Sequence, residues 1–356
     1  MLALSITAQA QFQILDAKST ASLRGIDAVS PQIAWASGSS GTVLLTTDGG
    51  ATWKHCTTPA GAEKLDFRGV QGFDAQTAVI MASGKGPASA IYKTTDGCAT
   101  WKLVFSNPDP EGFFDALRKA MSSDEMWIVG DPVRGKFATF SSRDAGETWK
   151  PANDPGREAL KDAGGFAASN SGLTANGPFM AFGTSATAME PPRIYTLEPT
   201  CVGHPPACPW AWKSATVPML ASGTSSGVFS VAAMWTGHNG PPNTNTITVV
   251  AVGGDYAKPA ERAGAAAFSE DGGEHWQLAA TMPGGYRSAV AFDFRHDRYI
   301  AVGPNGIDVS TDSGKNWMPL QPGPNDAPDA DKNWNAISLP FVVGSKGKIG
   351  KLTAKF

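Results

Sequence analysis

Thr46-Thr47-Asp48-Gly49-Gly50-Ala51-Thr52-Trp53 returns four more times along the chain. Its copies are Thr94-Thr95-Asp96-Gly97-Cys98-Ala99-Thr100-Trp101, Ser142-Arg143-Asp144-Ala145-Gly146-Glu147-Thr148-Trp149, Ser269-Glu270-Asp271-Gly272-Gly273-Glu274-His275-Trp276 and Ser310-Thr311-Asp312-Ser313-Gly314-Lys315-Asn316-Trp317. The shared pattern, Ser/Thr-x-Asp-x-Gly-x-x-Trp, reads as a hairpin turn. The carboxylate and hydroxyl can accept backbone N–H bonds, Gly takes a positive φ, and Trp opens the next strand with a large apolar face. An apolar, β-prone run precedes each copy, for example Thr42-Val43-Leu44-Leu45 and Ile307-Asp308-Val309. Each copy therefore joins two antiparallel strands.

Positions 48, 96, 144, 271 and 312 are separated by 48, 48, 127 and 41 residues. Periods of roughly 40–50 residues with four strands apiece are those of propeller blades. The long interval must hold a blade without the turn motif, with its third strand at Arg193–Leu197 and its fourth at Trp210–Lys213. Two shorter blades there are the alternative count. The remainder, Asn333–Phe356, has at most three strands, and a lone strand, Phe12-Gln13-Ile14-Leu15, stands at the other end of the chain. Pairing that strand into the last blade closes the ring and removes exposed sheet edges. The expectation is an all-β, seven-bladed propeller of four-stranded antiparallel blades. Its blades fall near 23–58, 66–106, 113–153, 164–217, 227–280, 286–321 and 333–356 plus 11–16, in a single domain spanning 11–356.

Forty Gly and 26 Pro among 356 residues fit a turn-dense β protein, and 11 Trp with 17 Phe supply its core. A net charge of −3 gives no basic surplus for nucleic acid. No apolar run approaches the roughly 20 residues of a membrane helix. Residues 1–10 read as the end of a signal peptide, apolar and finishing in Ala8-Gln9-Ala10. A periplasmic or secreted monomer is therefore expected. Four cysteines suit that setting. Cys201 and Cys208 bracket a Pro-rich loop and are expected to form a local disulfide. Cys56 and Cys98 stand where neighbouring blades could join them or leave them apart. Neither a metal site nor a cofactor is expected, since CxxC spacing, paired His and nucleotide fingerprints are missing.

The turns joining third to fourth strands lie on one face of a propeller, and the blade-to-blade links lie on the other. Asp48, Asp96, Asp144, Asp271 and Asp312, with Trp53, Trp101, Trp149, Trp276 and Trp317, are thus read as structural. The links and the second-to-third turns bring a different set to the channel mouth: Arg24, Arg68, Glu111, Asp115, Asp131, Arg134, Asp255, Tyr256, Tyr286, Arg287 and Asn305. Arginine suits bidentate capture of a carboxylate or phosphate. Converging arginines beside tyrosine would bind an anion; paired off with adjacent carboxylates, they would only brace the channel.

The repeated turns resemble the Asp-box (BNR) repeats of sialidases, sortilin-type receptors, xyloglucanases and photosystem II assembly factors. Ser22-Leu23-Arg24-Gly25, Asn107–Asp115, Gly130-Asp131-Pro132, Gly253-Gly254-Asp255-Tyr256 and Gly285-Tyr286-Arg287-Ser288 resemble the bacterial photosystem II stability/assembly-factor-like propellers. That resemblance spans nearly the whole chain. It implies a non-enzymatic exported scaffold binding a protein, a peptide, or an anionic small ligand or glycan through Arg24, Arg68 and Arg287. The alternative is a sialidase-like exo-glycosidase casting those arginines with Tyr286, Glu111 and Asp115. Tyr286 and Arg287 adjoin, however, and neighbours on a strand face opposite sides.

Overall fold

The computed structural model describes residues 11–121, 123–176, 179–199, 209–235 and 247–353. The proposed signal-peptide remnant and the Cys201–Cys208 pair lie outside them. Seven antiparallel sheets of four strands follow one another. Blade 1 consists of Leu23–Ala28, Ala34–Gly38, Val43–Thr46 and Lys54–His55, from the inner strand to the outer one. The interval without a turn motif holds one blade: Leu173–Asn176, Phe179–Gly183, Arg193–Pro199 and Trp210–Thr216. Blade 7 takes Trp334–Ser338, Phe341–Gly344 and Ile349–Leu352 from the C-terminal end and Phe12–Leu15 from the N-terminal end. Phe12 pairs with Leu352 and Leu15 with Ile349. No described helix is long and apolar enough to cross a membrane.

Each blade is apolar on both faces, so its core lies in the seams between blades rather than inside any one sheet. A separate buried cluster fills every seam around the ring. The tryptophan of each turn motif packs into the seam with the preceding blade, as Trp53 does against Phe341 of blade 7 at 5.8 Å, edge to face. Trp149 and Trp317 are buried in the corresponding seams of blades 3 and 6, where a large aromatic side chain removes much apolar surface from water. Blade 4 has no motif, and Trp212 of its outer strand takes the place; in blade 7 Phe12 does.

The turns are built as the sequence leads one to expect. Thr46 Oγ1 donates to Asp48 Oδ1 at 2.8 Å, and Thr52 donates to the same carboxylate through its backbone N (2.9 Å) and its hydroxyl (2.6 Å). Gly50 adopts φ +89°, and a Cβ there would run into Leu15 and Phe341 of blade 7. Cys98 occupies the same place in blade 2 at φ 63° and uses that close approach: it is disulfide-bonded to Cys56 of blade 1.

Candidate functional site

Inner strands break register at the same point in five blades. The shifts fall at Leu23/Gly25, Phe67/Gly69, Phe114/Ala116, Val228/Ser230 and Trp334/Ala336. Each leaves one residue unpaired: Arg24, Arg68, Asp115, Phe229 and Asn335. A bulge of this kind re-aims a side chain and ends local pairing. The sequence around it is apolar, variable, small, apolar, as in Leu23-Arg24-Gly25-Ile26 and Phe67-Arg68-Gly69-Val70. The variable residue turns to the channel while its neighbours stay in the seams.

Arg24 and Arg68 come into electrostatic range of one another, with Asp66 and Tyr286 close by. Arg68 donates through Nε to Asp66 Oδ2 at 2.8 Å and through Nη1 to the Ala167 carbonyl at 3.2 Å. Arg24 is half-buried, and among the described residues its guanidinium has no hydrogen bond and no ion pair. Burial pulls its pKa down, and the Arg68 charge pulls the same way. Such a site favours a bound anion on both counts.

An aromatic group stands beside the arginines. Phe229 is stacked on Phe166 at 3.6 Å and meets Tyr286 edge to face at 4.7 Å. Tyr256 approaches Phe229 at 6.1 Å and is 56 % exposed, so it forms the outer wall. Burial pushes the Tyr286 hydroxyl pKa up, which keeps it protonated. Asp255 fixes the loop behind Tyr256, accepting from Ser222 Oγ (2.7 Å) and Ala257 N (2.9 Å).

Arg287 is placed differently. It is 1 % exposed, ion-paired with Asp308 and hydrogen-bonded to Asn305 Oδ1 (2.6 Å). Asn305 also ties down the Pro259 and Gly284 carbonyls. Arg287 and Asn305 thus brace two channel-face loops from within. Arg134 and Glu111 sit on the exposed rim, paired with Asp109 (3.2 Å) and Lys85 (2.8 Å). Asp115 is within electrostatic range of both Asp131 and Arg68, and Gly165 N donates to Asp131 Oδ1 at 2.9 Å.

Sequence reasoning missed residues 164–172, the approach to blade 4. Within this run Ala167 O accepts from Arg68 of blade 2, and Asn170 Oδ1 accepts from Leu117 N of blade 3 (2.8 Å). Ser171 Oγ accepts from Ser230 Oγ of blade 5 (2.7 Å), and Ser169 Oγ donates to the Ser288 carbonyl of blade 6 (2.7 Å). One segment touching four other blades lies inside the ring and gives the mouth a floor. Its signal in the sequence is only a run of small residues without alternation.

No protein-family model matches the chain, and no curated protein matches it in sequence. Solved structures share the fold. YCF48 bound to D1 peptide is 18% identical, with 98% of this chain and 99% of that one covered at a TM-score of 0.61. YCF48 from Cyanidioschyzon merolae gives 18% identity, 96% and 99% coverage and 0.58. The GH74 xyloglucanase from Xanthomonas campestris gives 14% identity, 91% and 56% coverage and 0.52. At these identities the likeness is one of fold.

Proposed function

We propose that this propeller binds a protein partner, without chemistry, by an anionic peptide segment laid over the channel mouth. The observation that carries the reading is Arg24, a half-buried cation with no partner among the described residues, beside Arg68 and an aromatic wall. A carboxylate supplied from outside would relieve an arginine that the fold leaves unmatched. A protein of the same fold has been solved with a peptide bound, which supports a peptide as the ligand class. The Cys56–Cys98 bond fits an exported protein in an oxidising compartment. The glycosidase reading is weaker. It needs Tyr286 as a nucleophile, and burial holds that hydroxyl in its protonated form.

The test uses a panel of acidic peptides with free or amidated C-termini, read by fluorescence anisotropy. At least one peptide should bind in a salt-sensitive manner, and Arg24→Gln should weaken it by about 2 kcal/mol, roughly thirtyfold, the range for removing one partner of a desolvated charge pair. Equal affinity for the Arg24→Gln protein, or no binding across the panel, would sink the proposal. Release of fluorophore from aryl glycosides by the folded protein would favour the hydrolase instead.

A further inference from the structure

We propose that the anion taken at the channel mouth is the terminal carboxylate of a peptide whose last residue has a large apolar side chain. Tyr286 is the second donor to that carboxylate beside Arg24, and Tyr256 is the wall for the side chain. This rests on the binding reading above and names the chemistry of its ligand.

Tyr286 is 7 % exposed and packed against Phe229, yet its hydroxyl makes no hydrogen bond among the described residues and is not sealed from solvent. Its backbone is fixed, with Tyr286 N donating to the Pro259 carbonyl at 3.0 Å. The hydroxyl lies within electrostatic range of both Arg24 and Tyr256. Burial keeps its proton on, so toward an anion it is a donor. Arg24 of blade 1 and Tyr286 on the link into blade 6 thus offer unused donors from two blades. A buried polar group without a partner is costly, and one carboxylate would satisfy both. The charge suits a monoanion. Arg68 is already paired with Asp66, which leaves Arg24 as the uncompensated cation of the two. A phosphate dianion would be undermatched.

Tyr256 supplies the second part. Single exposed tyrosines are ordinary, but this one is 56 % exposed on a braced turn. Asp255, 2 % exposed, accepts from Ser222 and Ala257, while Tyr256 N donates to the Ser225 carbonyl at 3.2 Å and Lys258 N to the Asp255 carbonyl at 3.0 Å. The Tyr256 ring meets Phe229 at 80°, and the Tyr286 ring meets it at 81°. The two tyrosines therefore flank one aromatic residue, one bringing a donor and the other an open ring. A rigid exposed ring loses little freedom when an apolar side chain packs on it. A terminal residue carries its carboxylate and its side chain on the same carbon, so one residue can reach both groups. The side chain of an internal aspartate or glutamate ends in the carboxylate itself and has nothing left for Tyr256.

The experiment is calorimetric titration of the full chain with hexapeptides of glycine and serine that end in phenylalanine, leucine or glycine, each with a free or an amidated terminus. The free phenylalanine and leucine peptides should bind about tenfold more tightly than the free glycine one, the effect of partly burying a large apolar side chain. Amidation should weaken binding by at least about tenfold. Tyr286→Phe keeps the ring on Phe229 and removes only the donor; it should bring the free peptides about tenfold closer to the amidated ones. Tyr256→Ala should erase the difference between phenylalanine and glycine and keep the preference for a free terminus. Equal binding of phenylalanine and glycine peptides, equal binding of free and amidated ones, or an unaffected Tyr286→Phe protein would overturn the inference. Acidic peptides that still bind through Arg24 whatever their terminus would then leave the function proposed above standing. Failure of every peptide in both sets to bind would remove the two together.

Discussion

At Asp48 an exposed carboxylate has its pKa held down to about 2, first by the Thr52 hydroxyl and then by the Thr52 backbone N–H. Asp96 and Asp144 repeat this with Thr100 and Thr148, again to about 2. A folded-state pKa below the unfolded value contributes stability at pH above about 4, and that contribution fades as pH falls toward 2. Asp48→Asn should therefore melt below wild type at pH 7, and the gap should close between pH 4 and 2. A gap that stays constant with pH would show that the carboxylate charge plays no part. The fourth turn motif runs the other way. His275 replaces Thr and pairs with Asp271, whose hydrogen bond raises the imidazole pKa. Its contribution is present below the unfolded value near 6.5 and is lost as pH rises through the elevated folded value. His275→Asn, which copies Asn316 of the fifth motif, should lower the melting temperature at pH 6 and leave it unchanged at pH 9.

Between elements, the seam of blades 1 and 2 is held by the Cys56–Cys98 bond across 42 residues of sequence. A closed loop of that length stabilises by about 4 kcal/mol on the chain-entropy account, or about 5 °C in melting temperature for a chain of this size. Cys56→Ser/Cys98→Ser should show that loss by calorimetry, and reductant should reproduce it in the wild type but not in the variant. Matching melting temperatures would mean that the seam is held by its apolar cluster alone. This pair was half legible in the sequence: Cys98 stood in a glycine position, but only the ring geometry brings it to Cys56. The inner strands divide in the same way. Arg24, Arg68 and Asp115 were visible because a charge interrupts an apolar strand. Phe229 was hidden, since an apolar residue at the same bulge looks like core. Arg287 resembles the other two arginines in type but not in position: Ser288, not Arg287, precedes the small residue Ala289, so Arg287 falls where Leu23 and Phe67 are buried. The floor at 164–172 was out of reach because its partners come from four other blades, and local pattern carries nothing of them.

For the whole molecule, the turn motifs counted the blades, yet the ring is closed by a strand that has no motif. Phe12–Leu15 supplies the outer strand of blade 7, and Asp326 pins it by accepting from Gln11 N (3.0 Å) and Phe12 N (3.1 Å). Phe12 also fills the seam of blades 6 and 7 beside Leu320 and Ile337, the place that tryptophans take in other seams. Phe12→Ala should cost about 3–5 kcal/mol by the usual range for buried aromatic truncation. Spread over the unfolding entropy of a chain this long, that is a fall of about 4–7 °C. Asp326→Ala leaves the seam packed and releases only the pin, so its fall should be smaller. Both variants weaken a closure rather than a blade interior, and amide exchange should reveal this. The amides of Ile349–Leu352 should lose protection first, while those of Met126–Val133 in blade 3, across the ring from blade 7, keep it. Uniform loss of protection across both strands would mean that the ring opens only with global unfolding, and that Phe12 acts as an ordinary core residue rather than as the latch.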